Sequence, residues 1–372
     1  MRILLLSTTF GRYDSRIFHR EAKALSNAGH DVTILCSDLQ KEEVINRICI
    51  ISTYKKIVGR FNRFIFTIPR IKRRIRNLPF DIIQISSPEC LPLAKYFKKQ
   101  GRKVIFDSRE DYSAFMTEKP WIPRFLRKIV AVCYEKYESK CLKYIDSVIV
   151  VTPFIQERFA KKHRKVTTVT NYPLLSEEIE SNIRTSSQLE LCFFGTISND
   201  DLHKNLMEAI RDIPNVKYHL LSAGNESINA RLAEQARHTK TESKVTFYQK
   251  IEYDKIPSFL QNKDVGVILR RYAANYGYHR GSLGVIKFFQ YMSAGLPILC
   301  TDFDEWKSIV NQYECGICVN PFDVSQIQSA IRFFINNPEE TRKMGTNARH
   351  AFRAAFNWST QEKTYISSIV DK

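Results

Sequence analysis

The strongest constraint on the fold is a regular alternation of short apolar segments with segments of helical periodicity. The apolar segments "RILLLS" and "DVTILC" flank "SRIFHREAKALSNAG", in which apolar residues recur at helical spacing before a terminating glycine. Strands that are apolar at every position are buried on both faces, so helices must cover both sides of their sheet. The alternation therefore predicts an α/β protein with doubly wound parallel sheets.

The alternation is interrupted once, at a polar segment without a clear strand, and begins again at "LELCFFG". A chain of 372 residues is also longer than one typical domain. We therefore predict an N-terminal domain over residues 1–175, a linker over 176–189 and a second doubly wound domain over 190–355. The remaining residues, 356–372, form a C-terminal helix that can pack back on the N-terminal domain.

The place of a ligand site follows from the sheets, because open parallel sheets bind ligands beyond the carboxyl ends of their strands. Two such domains facing each other enclose a cleft between those ends. The sequence has no G-x-G-x-x-G after either first strand, and no G-x-x-x-x-G-K-[ST], G-x-S-x-G or H-E-x-x-H. Dinucleotide redox chemistry, P-loop hydrolysis, serine hydrolysis and zinc proteolysis are therefore disfavoured.

One short segment, "RGSLGVIK" at residues 280–287, has the composition of an anion site. Gly281, Ser282 and Gly284 stand just before or at the start of a predicted helix, where free backbone N–H groups and the helix dipole attract negative charge. Lys287 adds formal positive charge. The segment predicts a seat for a diphosphate on a helix that begins near Ser282. The alternative is an ordinary capped helix with a surface lysine.

The residues that follow resemble a known family. "KFFQYMSAGLPIL" is similar to a segment of the family-four glycosyltransferases. Further matches keep the family's order along the chain: "FGRYDSRIFHREAKALSNAGHDVTIL", "VIFDSREDYSAFMTEKPWIPRFLRK", "FFGTIS" and "ECGICVNPFDVSQIQSAI". The resemblance implies the GT-B fold, in which two Rossmann-like domains face each other across a cleft. It also implies transfer of a sugar from a nucleotide-diphosphate sugar, usually with retention and without an essential metal.

The resemblance also assigns roles to individual residues. Negative charge grows on the leaving nucleoside diphosphate, and helix N-termini with cationic side chains can stabilise it without a metal ion. We therefore expect no cofactor and no metal site. The expected contacts of the donor diphosphate are Gly11, Lys204, Ser282, Leu283, Gly284 and Lys287. The expected contacts of the donor ribose and base are Gly224, Gln249, Lys250 and Gln290.

Several positions depart from the family pattern, among them Gln249, which stands where a glycine is usual. Gln290 stands where the family has a glutamate that accepts hydrogen bonds from the donor ribose, and Ser282 stands where many members have a second glutamate. Arg109 stands where a histidine is frequent, and an arginine cannot act as a base at neutral pH. Two roles remain for Arg109: it binds a phosphate group, or it forms an ion pair with Glu110 or Asp111. The catalytic residues stay open, with Arg109 and Glu110 as candidates.

The chain carries a net charge of +18, and two basic segments rich in aromatic residues lie at 54–79 and 119–128. Basic residues mixed with Phe and Trp are typical of proteins that lie on anionic membranes. No apolar run approaches the ~20 residues that span a bilayer. The alternative for the basic segments is a solvated helix over the sheet. The expected membrane contacts are Arg63, Phe64, Arg70, Arg73, Arg74, Trp121 and Arg124.

These observations predict a cytoplasmic enzyme that lies on the inner face of the cell membrane. Its expected activity moves a sugar from a nucleotide-sugar donor to a glycan acceptor, preferably linked to polyprenyl diphosphate, in the assembly of a bacterial-type surface polysaccharide. One alternative is a non-transferase of the same fold, such as a nucleotide-sugar epimerase or a phosphorylase. Another is a catalytically weak binding subunit, because of Gln290 and Arg109. No nucleic-acid partner is expected, since no RNA-binding signature accompanies the basic segments.

Overall fold

The computed structural model describes residues 1–53, 60–119, 121–175, 188–198, 200–222, 226–252 and 255–371, without the side chains of 60–65 and 226. The chain divides into two compact units. Unit 1 comprises residues 1–171 and 361–372, and unit 2 comprises residues 172–360. Most of the predicted linker, residues 176–187, lies outside the described residues.

Unit 1 is built on an eight-stranded sheet with the order β3-β4-β2-β1-β5-β6-β7-β8. Every neighbouring pair is parallel except β3 and β4, which form an antiparallel hairpin at one edge. The parallel sheet confirms the prediction, whereas the hairpin was not predicted. The strands are β1 (Arg2–Leu6), β2 (Asp31–Cys36), β3 (Glu43–Ile45), β4 (Ile48–Ser52), β5 (Ile82–Ile85), β6 (Lys103–Ser108), β7 (Ser147–Val150) and β8 (Val166–Thr168).

Helices cover both faces of this sheet, as fully apolar strands require. A π-type turn, Ile17–Ala22, continues directly into α1 (Lys23–Asn27). The other helices of the first half are α2 (Arg60–Ile75), α3 (Leu93–Lys98), α4 (Tyr112–Thr117), α5 (Arg127–Leu142) and α6 (Pro153–Ala160), with short 3₁₀ helices at Pro88–Cys90 and Arg124–Leu126.

The last helix of the chain, α14 (Ser359–Val370), belongs to unit 1 from residue 361 onward. The hydroxyl of its buried Tyr365 donates to Oε1 of Gln84 in β5 at 2.8 Å. The side-chain amide of Gln84 in turn donates to the carboxylate of Glu21 at 2.9 Å. Buried polar groups need partners, so this chain of hydrogen bonds ties the C-terminus to the interior of unit 1.

Unit 2 contains a six-stranded, wholly parallel sheet with the order β11-β10-β9-β12-β13-β14. The strand order reverses between β9 and β12, and ligands of doubly wound sheets bind at such a switch point. The strands are β9 (Leu189–Gly195), β10 (Val216–Ser222), β11 (Val245–Tyr248), β12 (Val265–Ile268), β13 (Ile298–Thr301) and β14 (Gly316–Val319). The helices are α7 (His203–Ile210), α8 (Glu226–Thr239), α9 (Ile256–Leu260), α10 (Ile286–Ser293), α11 (Asp304–Tyr313), α12 (Val324–Asn336) and α13 (Pro338–Ala355), with a 3₁₀ helix at Ala274–Tyr276.

Helix α10 packs closely on the strands next to the switch point. A methyl group added at Gly266 of β12 would lie 2.2 Å from the ring of Tyr291 in α10, so glycine is needed there. The hydroxyl of Tyr291 donates to the carbonyl of Cys192 in β9 at 3.1 Å. The helix is thus held over both strands of the switch point. Within the described residues, no helix is both long and apolar enough to cross a bilayer.

Candidate functional site

The first side chain at the switch point is Lys287, in the opening turn of α10. Only 8% of the residue is exposed, and its Nζ lies 3.8 Å from the centre of the Phe193 ring. Gly195, at the end of β9, has a φ of +110°, which only glycine adopts readily. A Cβ at Gly195 would lie 3.5 Å from the Lys287 ammonium, so that ammonium faces the loop that follows β9.

The Lys287 ammonium is shielded from water, and this lost hydration is not replaced by an ion pair in the described chain. Within the described part of the chain, no carboxylate forms an ion pair with it. Burial lowers the pKa of Lys287 to about 7, and the negative charge of Asp201 offsets only part of that effect. Lys287 is therefore a desolvated cation with capacity to bind a negatively charged group.

Asp201 does not neutralise Lys287, because its carboxylate already has closer partners. It accepts from the Ser198 backbone N–H at 2.7 Å, from the Ser198 hydroxyl at 2.9 Å and from Arg270 Nε at 3.0 Å. Burial alone would raise the pKa of Asp201, but Arg270, Lys287 and His203 outweigh burial and hold it at about 2. Arg270 also donates to the hydroxyl of Tyr276. Asp201 and Arg270 therefore neutralise each other, and the positive charge of Lys287 beside them is not neutralised.

His203, the first residue of α7, completes this group. Its Nδ1 lies 2.8 Å from the hydroxyl of Tyr218, and burial lowers its pKa to about 4. The imidazole is therefore neutral at physiological pH. Asp201, His203 and Arg270 were not predicted, because Arg270 is about seventy residues from the other two in the sequence and no short motif brings them together.

The predicted diphosphate segment is only partly as expected. Helix α10 begins at Ile286, so the prediction that it begins near Ser282 was wrong. Gly281 has a φ of +88°, and the Ser282 hydroxyl accepts from the Gly284 N–H at 3.1 Å, so these residues form a separate turn before the helix. The Ser282 carbonyl accepts from the Trp306 indole at 3.0 Å. Ser282, Leu283 and Gly284 therefore lead into the first turn of α10, and Lys287 is the charged group there.

Gln290 lies one turn beyond Lys287 on α10 and is buried. Residues three apart share one face of a helix, so the two predicted contacts remain neighbours. Lys204 lies elsewhere, on α7, where it is more than half exposed and 3.4 Å from the Glu208 carboxylate. Gln249 and Lys250 follow β11 and are exposed.

Among the described residues, no hydrogen bond joins Lys204, Gln249 or Lys250 to the α10 segment. Gly224 lies outside the described residues. The structure therefore brings together the segment from Ser282 to Gln290, and the roles of the other four residues stay predictions.

In unit 1, Arg109 lies in a dense group of charges. Its Nε donates to Asp107 at 3.0 Å, its Nη1 lies 3.4 Å from Asp14, and its guanidinium stacks 4.1 Å from the Phe10 ring centre. Of the two alternatives for Arg109, pairing with Glu110 or Asp111 was therefore wrong, because its carboxylate partners are Asp107 and Asp14. Asp107 and Arg109 are alternate residues at the end of β6, and alternate residues project to one side of a strand.

Asp111 is engaged elsewhere, because it caps α4 through the Ala114 N–H at 3.1 Å and lies 3.4 Å from Arg158. Gly11, in the loop after β1, is exposed, and a Cβ built there has no neighbour within 4 Å. Ligand approach to Gly11 therefore stays a prediction. Glu110 is half-buried, and its carbonyl accepts from the Ser108 hydroxyl at 3.1 Å.

The cations around Arg109 are paired with carboxylates of the protein. Arg16 donates to Glu21 at 2.6 Å and to Asp107 at 3.1 Å, and both carboxylates are fully buried. Burial opposes ionisation of Asp107, but Arg16 and Arg109 outweigh burial and lower the pKa of that carboxyl. Arg109 therefore has its charge committed to the protein, which favours a positioning role over a phosphate clamp.

Comparison with known proteins agrees with this architecture. The model of the family described as Glycosyltransferase Family 4 matches residues 15–171, and that described as Glycosyl transferases group 1 matches residues 176–351. A search of curated proteins returned no match.

Solved structures share the fold over nearly the whole chain. Sucrose-phosphate synthase from Thermosynechococcus elongatus is 16% identical with a TM-score of 0.78, covering 98% of this chain and 96% of its own. WaaG, a glycosyltransferase involved in lipopolysaccharide biosynthesis, is 14% identical with a TM-score of 0.74 and full coverage of both chains. Anabaena HepE in complex with UDP-glucose is 13% identical with a TM-score of 0.72, covering 99% of both.

Two units with Rossmann-like sheets, and these structural likenesses, define a protein of the GT-B class. The two family matches are adjacent and together include nearly all of the sequence. The chain belongs to the family-four glycosyltransferases.

The buried Lys287 has a measurable effect on stability. Its pKa is about 7 in the fold and near its ordinary value of 10.5 in the unfolded chain, so the unfolded chain binds more protons between these values. We expect Lys287→Met to raise the free energy of unfolding by a few kcal/mol at pH 7. This gain shrinks by up to roughly 1.4 kcal/mol for each pH unit above 7.

Urea denaturation from pH 7 to 10 measures this difference. The exposed Lys204→Met is the control, and it should change the free energy of unfolding by less than about 0.5 kcal/mol at every pH. A Lys287→Met protein that is less stable than the parent at pH 7 would contradict the account.

Arg109 gives a second prediction. Arg109→Met leaves Asp107 and Asp14 short of a cation, and removing one partner of a buried ion pair costs about 3–5 kcal/mol. Chemical denaturation should show that loss, while the fraction that remains folded should bind uridine diphosphate as the parent does. Weakened nucleotide binding at unchanged stability would instead assign Arg109 to phosphate.

Proposed function

We propose that the protein transfers a hexose from a nucleoside-diphosphate sugar to a glycan acceptor in surface-polysaccharide assembly, with retention and without a metal ion. The observation that supports this most directly is Lys287, a buried ammonium without an ion-pair partner in the described chain, at the switch point of unit 2. Breaking the bond between sugar and diphosphate places new negative charge on the leaving phosphate. A preorganised cation in a dry site stabilises that charge far more than it would in water.

The rest of α10 supports the same assignment. The positive end of its helix dipole lies at Val285 and Ile286, directly after Ser282, Leu283 and Gly284, and favours a negatively charged ligand there. Gln290, on the same face as Lys287, offers one carbonyl oxygen to a ribose hydroxyl in place of a carboxylate. We assign the donor base to the loops that contain Gly224, Gln249 and Lys250, and give Gly11 and Lys204 supporting contacts to the diphosphate.

A uridine nucleotide is the first donor to test, because the similarly folded HepE has been solved with UDP-glucose. We assign the acceptor to unit 1 and take it to be a glycan, preferably on polyprenyl diphosphate at the inner face of the membrane. Two observations support this choice: WaaG is involved in lipopolysaccharide biosynthesis, and unit 1 contains the basic segments. The proposed location is cytoplasmic, at the membrane surface, without nucleic acid as a partner.

A catalytically weak binding subunit is the second candidate. It is favoured by Gln290, which lacks the charge of the family's glutamate, and by Arg109, whose charge is committed to Asp107 and Asp14. Such a subunit would bind the nucleotide without turnover. A nucleotide-sugar epimerase or a phosphorylase would instead consume the donor without the lipid-linked acceptor.

Nucleotide binding should depend on pH in a defined direction. Lys287, with a pKa of about 7, gains its proton as the pH falls, so uridine diphosphate should bind more tightly at pH 6.5 than at pH 8.5. In Lys287→Met we expect affinity at pH 6.5 to fall by about tenfold or more, since a charged hydrogen bond contributes roughly 1.5–3 kcal/mol. Its affinity should also lose this dependence on pH.

Isothermal titration calorimetry at both pH values measures the effect, with Lys343→Met, at an exposed position of α13, as the control. The control should keep the pH dependence of the parent. Because the terminal phosphate of the nucleotide also titrates near pH 6, the comparison with the variant decides: a Lys287→Met protein with the pH dependence of the parent would remove Lys287 from the diphosphate site.

The transfer reaction itself tests the function. Nucleotide sugars are offered with a lipid-linked acceptor, and products are followed by mass spectrometry and anomeric analysis. We expect acceptor-dependent release of the nucleoside diphosphate, unchanged by EDTA, because Lys287 and the α10 N-terminus take the place of a metal. Nucleotide binding without product would favour the binding subunit, and donor consumption without acceptor would favour the epimerase or phosphorylase.

A further inference from the structure

One outer face of unit 1 exposes an unusual number of apolar side chains. Phe125 of the 3₁₀ helix is 79% exposed, and Ile129 and Val132 of α5 are 58% and 51% exposed. Trp121 and Leu126, immediately before α5, are exposed as well. Exposed apolar groups that form a contiguous patch are typical of interaction sites.

The spacing of these residues places them on one face. Phe125, Ile129, Val132 and Cys133 follow one another at intervals that return to the same side of a helix. The opposite side of α5 is directed inward, where Tyr134, Glu138 and Leu142 are buried. The exposed residues therefore do not contribute to the core of unit 1, and we call them the α5 outer face.

The charges of α5 are separated between its two sides. The carboxylates of Glu135 and Glu138 are held by Lys162 and Arg158 of the α6 region, with Lys162 Nζ 2.6 Å from Glu135. The exposed cations are Arg124, Lys128, Lys136 and Lys140. The α5 outer face thus combines apolar groups with positive charge, while Glu138 of the same helix is buried and Glu135 is paired with Lys162.

We propose that the α5 outer face inserts into the headgroup region of a bilayer that contains anionic lipid. Helices that lie in such an interface bury an apolar stripe among the headgroups while their Lys and Arg contact the lipid phosphates. Each cation near an anionic surface contributes roughly 1 kcal/mol before screening. Complementary charge distinguishes this partner from a neutral apolar protein surface, which would leave four cations buried or unpaired.

This inference deepens the proposed function, on whose membrane location it rests, and it changes the expected contact residues. Trp121 and Arg124 belong to the proposed surface. Arg74 does not, because its Nε donates to the Ser52 carbonyl at 3.1 Å and its guanidinium also contacts Glu42.

Other predicted membrane contacts lie on α2. Arg73 is exposed, and Arg70 is half-buried and lies 5.7 Å from the ring centre of the exposed Phe66. We assign these residues a secondary contact. The side chains of Arg63 and Phe64 lie outside the described residues.

The test uses the full-length protein and vesicles of phosphatidylcholine with or without phosphatidylglycerol. Ile129 and Val132 are replaced together by glutamate, which both sites accommodate because they are exposed. The control is Val44→Glu, since Val44 is 70% exposed on β3 of the same unit. We expect salt-sensitive co-flotation of the parent and of the control with phosphatidylglycerol vesicles, and a loss of about tenfold or more in the double variant.

Cys133 provides a second readout. It is the exposed one of the nine cysteines, all of which lie in the described residues. An environment-sensitive dye attached there should shift its emission toward the blue on addition of phosphatidylglycerol vesicles. Cys133→Ser, treated with the same dye, corrects for labelling at other thiols.

Three results would overturn the inference. The double variant could bind vesicles as tightly as the parent, or the dye could stay in water while the parent floats. The parent could also form a dimer, seen by analytical ultracentrifugation without lipid, that the double variant abolishes; the face would then join two copies. Calorimetry with uridine diphosphate separates this inference from the proposed function, because lost nucleotide binding with intact co-flotation contradicts only the function.

Discussion

A single desolvated ammonium is the interaction on which the functional interpretation depends. Lys287 is buried against the Phe193 ring, and burial lowers its pKa to about 7 because the nearby charge of Asp201 offsets only part of the lost hydration. The close packing of Tyr291 on Gly266 holds α10 in this position. The packing of unit 2 thus keeps the Lys287 ammonium buried without a carboxylate of the described chain to pair with it. A buried cation of this kind binds a negatively charged ligand strongly.

In unit 1, by contrast, the buried cations lie next to buried carboxylates. Arg16 and Arg109 lie among three carboxylates, those of Glu21, Asp107 and Asp14, so this group has no excess positive charge for an anionic ligand. This network of ion pairs joins the loops after β1 and β6, whereas the Lys287 ammonium in unit 2 is available to an anionic ligand. The contrast explains why Arg109, although it stands at a position of functional interest in the family, is better suited to positioning its neighbours.

Sequence reasoning was most successful where a pattern is local. The apolar strands predicted both parallel sheets, and ordered motifs predicted the family; both predictions are confirmed. It was less successful at the site. The β3–β4 hairpin was missed, α10 begins later than predicted, and the Asp201–Arg270 pair joins segments about seventy residues apart. The α5 outer face was also missed beyond residue 128, because it mixes Lys with Ile and Val and so has no simple polarity pattern.

The sequence by itself determined the class of fold, the family, the excess of positive charge and the presence of a lysine and a glutamine one turn apart on a helix. These follow from local composition and periodicity, which the chain carries before it folds. Only the tertiary structure decided which charges are neutralised. Whether Lys287, Arg109 or Arg74 is free to meet a ligand depends on burial and on carboxylates or carbonyls from distant segments. Those relations exist only when the strands and helices have packed, because desolvation and pairing are properties of the folded environment.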